Sequence, residues 1–109
     1  MTEAMREPTY LILTAMAAGR QHGYGLVQEV AELSGGRVRL RAGTLYGALD
    51  RLTAEGLIAA DGEEVVAGRF RRYYVLSEDG ARALAVETAQ RRATAGVAVR
   101  RLRALGVQV

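Results

Sequence analysis

All fifteen cations of this 109-residue chain are arginine, and where they fall is its first chemical signal. Arg69, Arg71 and Arg72 lie within four positions of one another, and Arg37, Arg39 and Arg41 alternate with Val38 and Leu40. A guanidinium is permanently charged and offers a planar fork of donors, which suits phosphate. The absence of lysine goes with the abundance of Ala, Gly and Val and is explained by G/C-rich codons, so only the positions of the arginines carry functional information. Little else in the chain can do chemistry. There is no cysteine and a single histidine, which leaves no disulfide framework, no thiolate nucleophile and no zinc site of the usual kind. Ser34 and Ser77 stand beside no histidine, and Gly35, Gly36 and Gly43 are too scattered for a dinucleotide fingerprint. His22 reads as a turn or first-turn residue. The sequence therefore predicts no catalytic residue, no metal and no cofactor.

Charge is unevenly spread along the chain. Residues 1–36 hold two arginines against four acids, residues 37–76 seven against five, and residues 77–109 six against three. The net charge of +3 is a modest electrostatic footprint for nucleic acid, concentrated in the last two thirds. Half the residues are apolar and a quarter charged, the balance of a globular protein of one domain. No apolar run reaches the roughly 18 residues that span a bilayer. Glu3 and Glu7 stand where a signal peptide would be basic and then apolar. The expected location is cytoplasmic, with no membrane partner.

Several elements must position the arginines. A helix is predicted from Pro8 to Ala18, with Pro8 suited to a first turn and Gly19 to a stop. It is apolar all the way round, so it needs cover on more than one side, and a second subunit is the expected second cover. A second helix is read over 24–34, ending at Gly35-Gly36. The alternation from Arg37 to Arg41 reads as one strand or an extended linker. A third helix, about 43–55, has an inward stripe of Leu45, Ala48, Leu49 and Leu52 and a stop at Gly56. Its opposite face carries Gly43, Gly47, Asp50 and Ala54, flanked by Thr44, Tyr46 and Arg51. Small residues there let the backbone lie close to a DNA groove or to a protein surface. Asp50 would repel phosphate, so it either pairs with Arg51 or Arg39 or accepts from a cytosine amino group.

From Leu57 the runs shorten and predict a β-hairpin that turns at Ala67-Gly68 and carries its arginines near the tip. Strand alternation turns one of Tyr73 and Tyr74 to the core and the other outward. Ser77 can cap a last helix, about 78–105, although Gly80 at its third position leaves the capping box incomplete. The fold class is mainly α: a winged helix-turn-helix of three helices plus a β-hairpin wing over residues 1–77, and a C-terminal dimerisation helix over 78–109 in the same compact unit.

The segments Arg6-Glu7-Pro8-Thr9-Tyr10-Leu11-Ile12-Leu13, His22-Gly23-Tyr24, Gly43 through Leu52, Glu55-Gly56-Leu57-Ile58 and Arg71 through Gly80 together resemble the PadR family of bacterial transcriptional regulators. The resemblance spans about residues 6–80, in its compact subclass with a single C-terminal helix. It implies a homodimeric DNA binder, usually a repressor, that releases a pseudo-palindromic double-stranded operator when a small apolar or aromatic effector binds near the dimer interface. It also places Tyr24 near the DNA backbone, Thr44 and Tyr46 on the recognition helix, and Arg69, Arg71 and Arg72 on the basic wing. Arg41-Ala42 and Gly47 depart from the family's frequent Ser-Pro-like cap and proline. With Arg39, Arg41, Gly43, Gly47 and Arg51 these residues make up the expected DNA-binding set. Packing of Tyr46 against the wing is the lesser alternative to its DNA contact. The expected dimer and effector interface comprises Met5, Tyr10, Leu13, Met16, Leu84, Ala95, Val99 and Leu102. The competing reading is a winged-helix protein-interaction module, which has no need of basic residues on both the wing and the segment before the third helix.

Overall fold

The first helix, α1 (Glu7–Met16), opens on Pro8, where a missing N–H costs nothing. A computed structural model describes residues 4–109 of the chain; Glu3 lies outside them. After α1 come β1 (Gln21–His22), α2 (Gly23–Leu33), α3 (Ala42–Ala54), β2 (Ile58–Val66), β3 (Arg69–Leu76) and α4 (Glu78–Ala104). The three strands form one antiparallel sheet in the order β1-β3-β2. This is a winged helix-turn-helix followed by a long C-terminal helix.

The core is built at the spacings that the sequence displays. Ile12, Leu13 and Met16 of α1 meet Leu26 and Val30 of α2 and Leu45, Leu49 and Leu52 of α3, all fully buried. Cover for α1 comes from its own chain, where α2, β3 and α4 surround it. Leu13 is 0% and Met16 2% exposed, so the expectation that these two residues line a subunit or effector interface is corrected. Apolarity all round a helix requires cover but does not say which chain supplies it.

Residues 37–41 form the extended linker and no strand. Buried Ser34 organises this segment: its Oγ accepts from Val38 N at 2.9 Å and donates to Ala31 O at 3.2 Å. Val38 and Leu40 pack against the core from the linker. The additional strand is instead β1, where Gln21 and His22 pair with Tyr74 and Tyr73.

The hairpin turns at Ala67 (φ 52°) and Gly68 (φ 75°), the two positive angles of a type I′ turn, whose twist matches that of the strands. A bulge between Ala60 and Glu63 inserts one extra residue into β2. Contrary to the expectation that one of Tyr73 and Tyr74 faces outward, both are buried, at 8% and 5% exposure. Tyr74 enters the core, while Tyr73 is covered on the other face by His22, edge-on at 5.5 Å, and by the Arg20 guanidinium 3.7 Å from its ring centre. That cover arrives with β1.

Ser77 caps α4, accepting from Gly80 N at 2.9 Å while donating to Gly56 O at 2.7 Å. Among the described residues no helix is long and apolar enough to cross a membrane.

Candidate nucleic-acid interface

The open face of α3 is the side away from its leucines. Gly43, Thr44, Tyr46 and Gly47 are all exposed, and a Cβ built on Gly43 or Gly47 would meet nothing within 4 Å. Two bare glycines one turn apart leave this stretch of helix narrow enough for close approach to another surface. Arg41 occupies the cap position of α3 with no side-chain cap bond. That leaves its guanidinium free at the start of the helix, as the lack of a Ser-like cap at Arg41-Ala42 implies.

Tyr46 reaches from α3 to the start of α2. A Cβ on Gly23 would come within 2.6 Å of its hydroxyl oxygen, so the phenol lies across a gap that only glycine leaves. It is nevertheless 49% exposed, and Tyr24, next to Gly23 on α2, is 68% exposed. Both tyrosines, with Gly23, Arg69, Phe70, Arg71 and Arg72, line one cleft of about 440 Å³ between the helix pair and the wing. Beyond His22 the sheet has no β1 to cover β3, and the arginine-bearing end of that strand borders the cleft. Tyr46 therefore packs beside the wing and faces outward at once, where sequence reasoning treated these as alternatives.

The arginines divide into two groups. Among the described residues Arg39, Arg41, Arg69 and Arg71 form no ion pair, whereas Arg72 Nε is 3.5 Å from Glu63 Oε1. Tyr74 first and Glu63 after it raise the pKa of Arg72. Arg51 is engaged within the fold: it donates to Thr9 Oγ1 at 2.8 Å and to Glu55 Oε1 at 3.0 Å, tying the end of α3 to α1. Two of its donors are thus used within the fold while about half of its side chain stays exposed, so this tie between α3 and α1 competes with the DNA contact expected of Arg51. Asp50 pairs with neither Arg51 nor Arg39; it lines the cleft between α3 and the wing with Glu63, Arg72 and Tyr74.

His22 holds the start of α2, with Nδ1 accepting from Gly25 N at 3.4 Å. Burial first, and the Arg71 charge second, lower its pKa below 6.5, against the pull of Glu64. A neutral imidazole is the form that can accept this bond. Among the described residues no group of three or more His, Asp or Glu is placed to hold a metal ion.

The proposed interface residues separate in space. Met5 and Tyr10 are fastened to α4: Met5 N donates to Glu87 Oε1 at 3.1 Å and Tyr10 Oη lies 2.9 Å from Thr88 Oγ1. Arg91 stacks 4.0 Å from the centre of the Tyr10 ring and donates to Met5 O at 3.0 Å and to Glu87 Oε2 at 2.9 Å. The Met5 N–H and then Arg91 lower the Glu87 pKa. Leu84 packs on the core. Ala95, Val99 and Leu102 lie beyond Arg91, where no side chain of α4 hydrogen-bonds another element among the described residues. The cleft nearest to Met5, about 420 Å³ lined also by Ala83, Val86 and Gln90, contains none of Leu13, Met16 or Ala95.

Residues 12–86 match the family model of the transcriptional regulator PadR-like family. The chain belongs to this family. Among curated proteins, it is similar to the transcriptional regulator Rv3488 of Mycobacterium tuberculosis, at 40% identity over 85 residues, covering 77% of this chain and 76% of that protein. Its fold is similar to that of a PadR family transcription regulator from hypervirulent Clostridium difficile, with a TM-score of 0.69 and 27% identity over 89% of this chain and 99% of the other. It is also similar to Bacillus subtilis PadR in complex with operator DNA, with a TM-score of 0.63 and 25% identity over 72% of this chain and 45% of that one. PadR-like proteins are transcriptional regulators and not enzymes.

Three features of the site were missed in sequence: β1, the clearance at Gly23, and the acids of β2. The first two had no local signal. The third did, because counting back from a two-residue turn at Ala67-Gly68 sets Glu64 opposite Arg71.

Proposed function

We propose that this PadR-like protein is a sequence-specific DNA-binding repressor that acts as a homodimer. The observation that carries the reading is the alignment of the bare face of α3, with Gly43, Thr44, Tyr46 and Gly47, beside the arginine-lined cleft of the wing. A helix that enters a major groove needs close backbone approach, and a wing that grips the adjacent backbone needs cations. In this reading Thr44 and Tyr46 meet base edges or the groove wall, while Tyr24, Arg39, Arg41, Arg69, Arg71 and Arg72 meet phosphates. The Bacillus subtilis relative bound to operator DNA supports DNA as the partner. Dimerisation uses the outer half of α4, through Ala95, Val99 and Leu102, and sets two half-sites about 10 base pairs apart. A small apolar effector would enter beside Met5 and Tyr10, where an aromatic ligand competes with Arg91 for the tyrosine ring.

The test is duplex binding by fluorescence anisotropy, with sequences selected from a random pool and with a random duplex. Arg69→Ala is expected to weaken both alike and to reduce the salt slope by about one. Tyr46→Ala is expected to cost roughly 1–3 kcal/mol on the selected sequence only. Wild-type protein that retards no duplex at about 100 mM salt overturns the reading in favour of protein interaction.

A further inference from the structure

The hairpin that carries the wing arginines has no net charge. Between Ile58 and Leu76 its charged residues are Asp61, Glu63 and Glu64 on β2 and Arg69, Arg71 and Arg72 on β3. Two acids and two arginines are also matched across the ladder. The turn sets Glu64 opposite Arg71 and Glu63 opposite Arg72. Glu63 is within ion-pair distance of Arg72 at 3.5 Å, Glu64 accepts from the Tyr73 hydroxyl, and Asp61 lies 3.5 Å from Arg20. The bulge at Asp61-Gly62 keeps Glu63 and Arg72 on the face of Tyr74, so that the pair looks across the cleft toward Asp50 of α3. Only Arg69, opposite Val66, has no acid across from it.

Stability does not call for this arrangement. Exposed ion pairs contribute little to a fold, and Glu63 and Glu64 are both exposed. Its effect falls on whatever approaches the wing. A phosphate within a Debye length, about 8–10 Å, of these carboxylates is repelled by them. Glu63, 3.5 Å from Arg72 Nε, partly neutralises the charge that Arg72 offers to a phosphate.

We propose that Glu63 and Glu64 limit the affinity of the wing for duplex DNA in general, holding Arg72 and Arg71 in a neutral hairpin so that the contacts of α3 decide where the protein binds. The inference rests on the DNA-binding reading above. Discrimination is a difference of affinities, and wing arginines without these acids would add to both sides of that difference equally.

The full chain carrying Glu63→Gln, Glu64→Gln or both is titrated with a random-sequence duplex of about 30 base pairs over a series of salt concentrations. Glu63→Gln is expected to bind about threefold to tenfold tighter at ~50 mM salt, with a salt slope steeper by about one. Glu64→Gln acts in the same direction by less, because its first partner is the Tyr73 hydroxyl. Adding Arg72→Ala to Glu63→Gln cancels the gain. Asp79→Asn removes one negative charge at the start of α4, away from the wing, and is expected to leave binding within about twofold of wild type. Unchanged affinity and slope in both glutamine variants, or an equal gain from Asp79→Asn, overturns the proposal while leaving the DNA reading standing. Wild-type protein that binds neither this duplex nor any sequence selected from a random pool removes both.

Discussion

Replacing Gly80 with alanine tests how α4 is seated on the winged helix. A methyl group at this position would come 2.0 Å from the Leu57 carbonyl oxygen, 2.8 Å from Leu76 Cδ1 and 3.0 Å from the Leu57 carbonyl carbon. The leucine side chain can turn aside, but the carbonyl is backbone and already accepts from Ser77 N at 3.1 Å. Opening the contact even to 3.0 Å requires a shift of about 1 Å between α4 and the start of β2. Such a shift strains the Ser77 bonds to Leu57 O and Gly56 O. Overpacking of this kind costs about 1–3 kcal/mol, and each weakened hydrogen bond about 1 kcal/mol. The intrinsic gain of alanine over glycine in a helix offsets roughly 0.5–1 kcal/mol. The net loss of about 2–4.5 kcal/mol corresponds to a fall in Tm of roughly 10–35 °C for a domain of this size. Thermal melting followed by circular dichroism reads this directly, at one fixed protein concentration because association would shift Tm. Gly96→Ala in the same helix is the counterpart, since only the end of the Arg100 side chain lies within 4 Å, at 3.5 Å. It is expected to stabilise by about 0.5–1 kcal/mol. A Gly80→Ala protein that melts at or above the wild-type temperature would refute the close approach.

Arg51→Met is expected to lower stability by about 1 kcal/mol in urea melts while the salt slope of duplex binding stays unchanged, and a cycle with Thr9→Val should recover most of that energy as coupling. The lowered pKa of His22 makes stability rise with pH: the neutral form is favoured in the fold, so its contribution is complete above about 6.5 and is lost as pH falls through the lower folded value. His22→Asn keeps an acceptor at the cap without titrating, and should flatten that limb in denaturant midpoints measured between about pH 5 and 7.5. Glu87, also lowered, contributes stability that is present above about 4.5 and is lost toward more acid pH. Glu87→Gln should remove this part of the acid limb, and an unchanged acid midpoint would deny the clamp on Met5.

What could be read in advance depended on whether a feature leaves a local trace. The leucines of α3 recur at helical spacing and Gly56 closes the helix, with φ of 77°, so both the stripe and its bare opposite face were legible. So was the hairpin, because a turn at Ala67-Gly68 needs only two adjacent residues. The direction of Arg51 was not. It flanks both faces of α3, and only the position of Thr9, 42 residues away in sequence, decides which way the guanidinium turns. Tyr73 misled for a similar reason: alternation puts it on the outer face, and its cover, His22 of β1 with Arg20 just before it, comes with a strand too short to show a period. The incomplete capping box at Gly80, which looks like a weakness in sequence, is the clearance that lets Leu57 O come close.

β1 is only two residues long, yet it fastens the entrance of α2 to the middle of β3. The wing is therefore no independent flap. Tilting it would drag Gln21 and His22 along, and with them the support beneath Tyr46. The span between the bare face of α3 and the wing arginines is thereby fixed by the fold. Under the proposed DNA reading, such a fixed span makes binding depend on how readily the duplex bends as well as on its sequence.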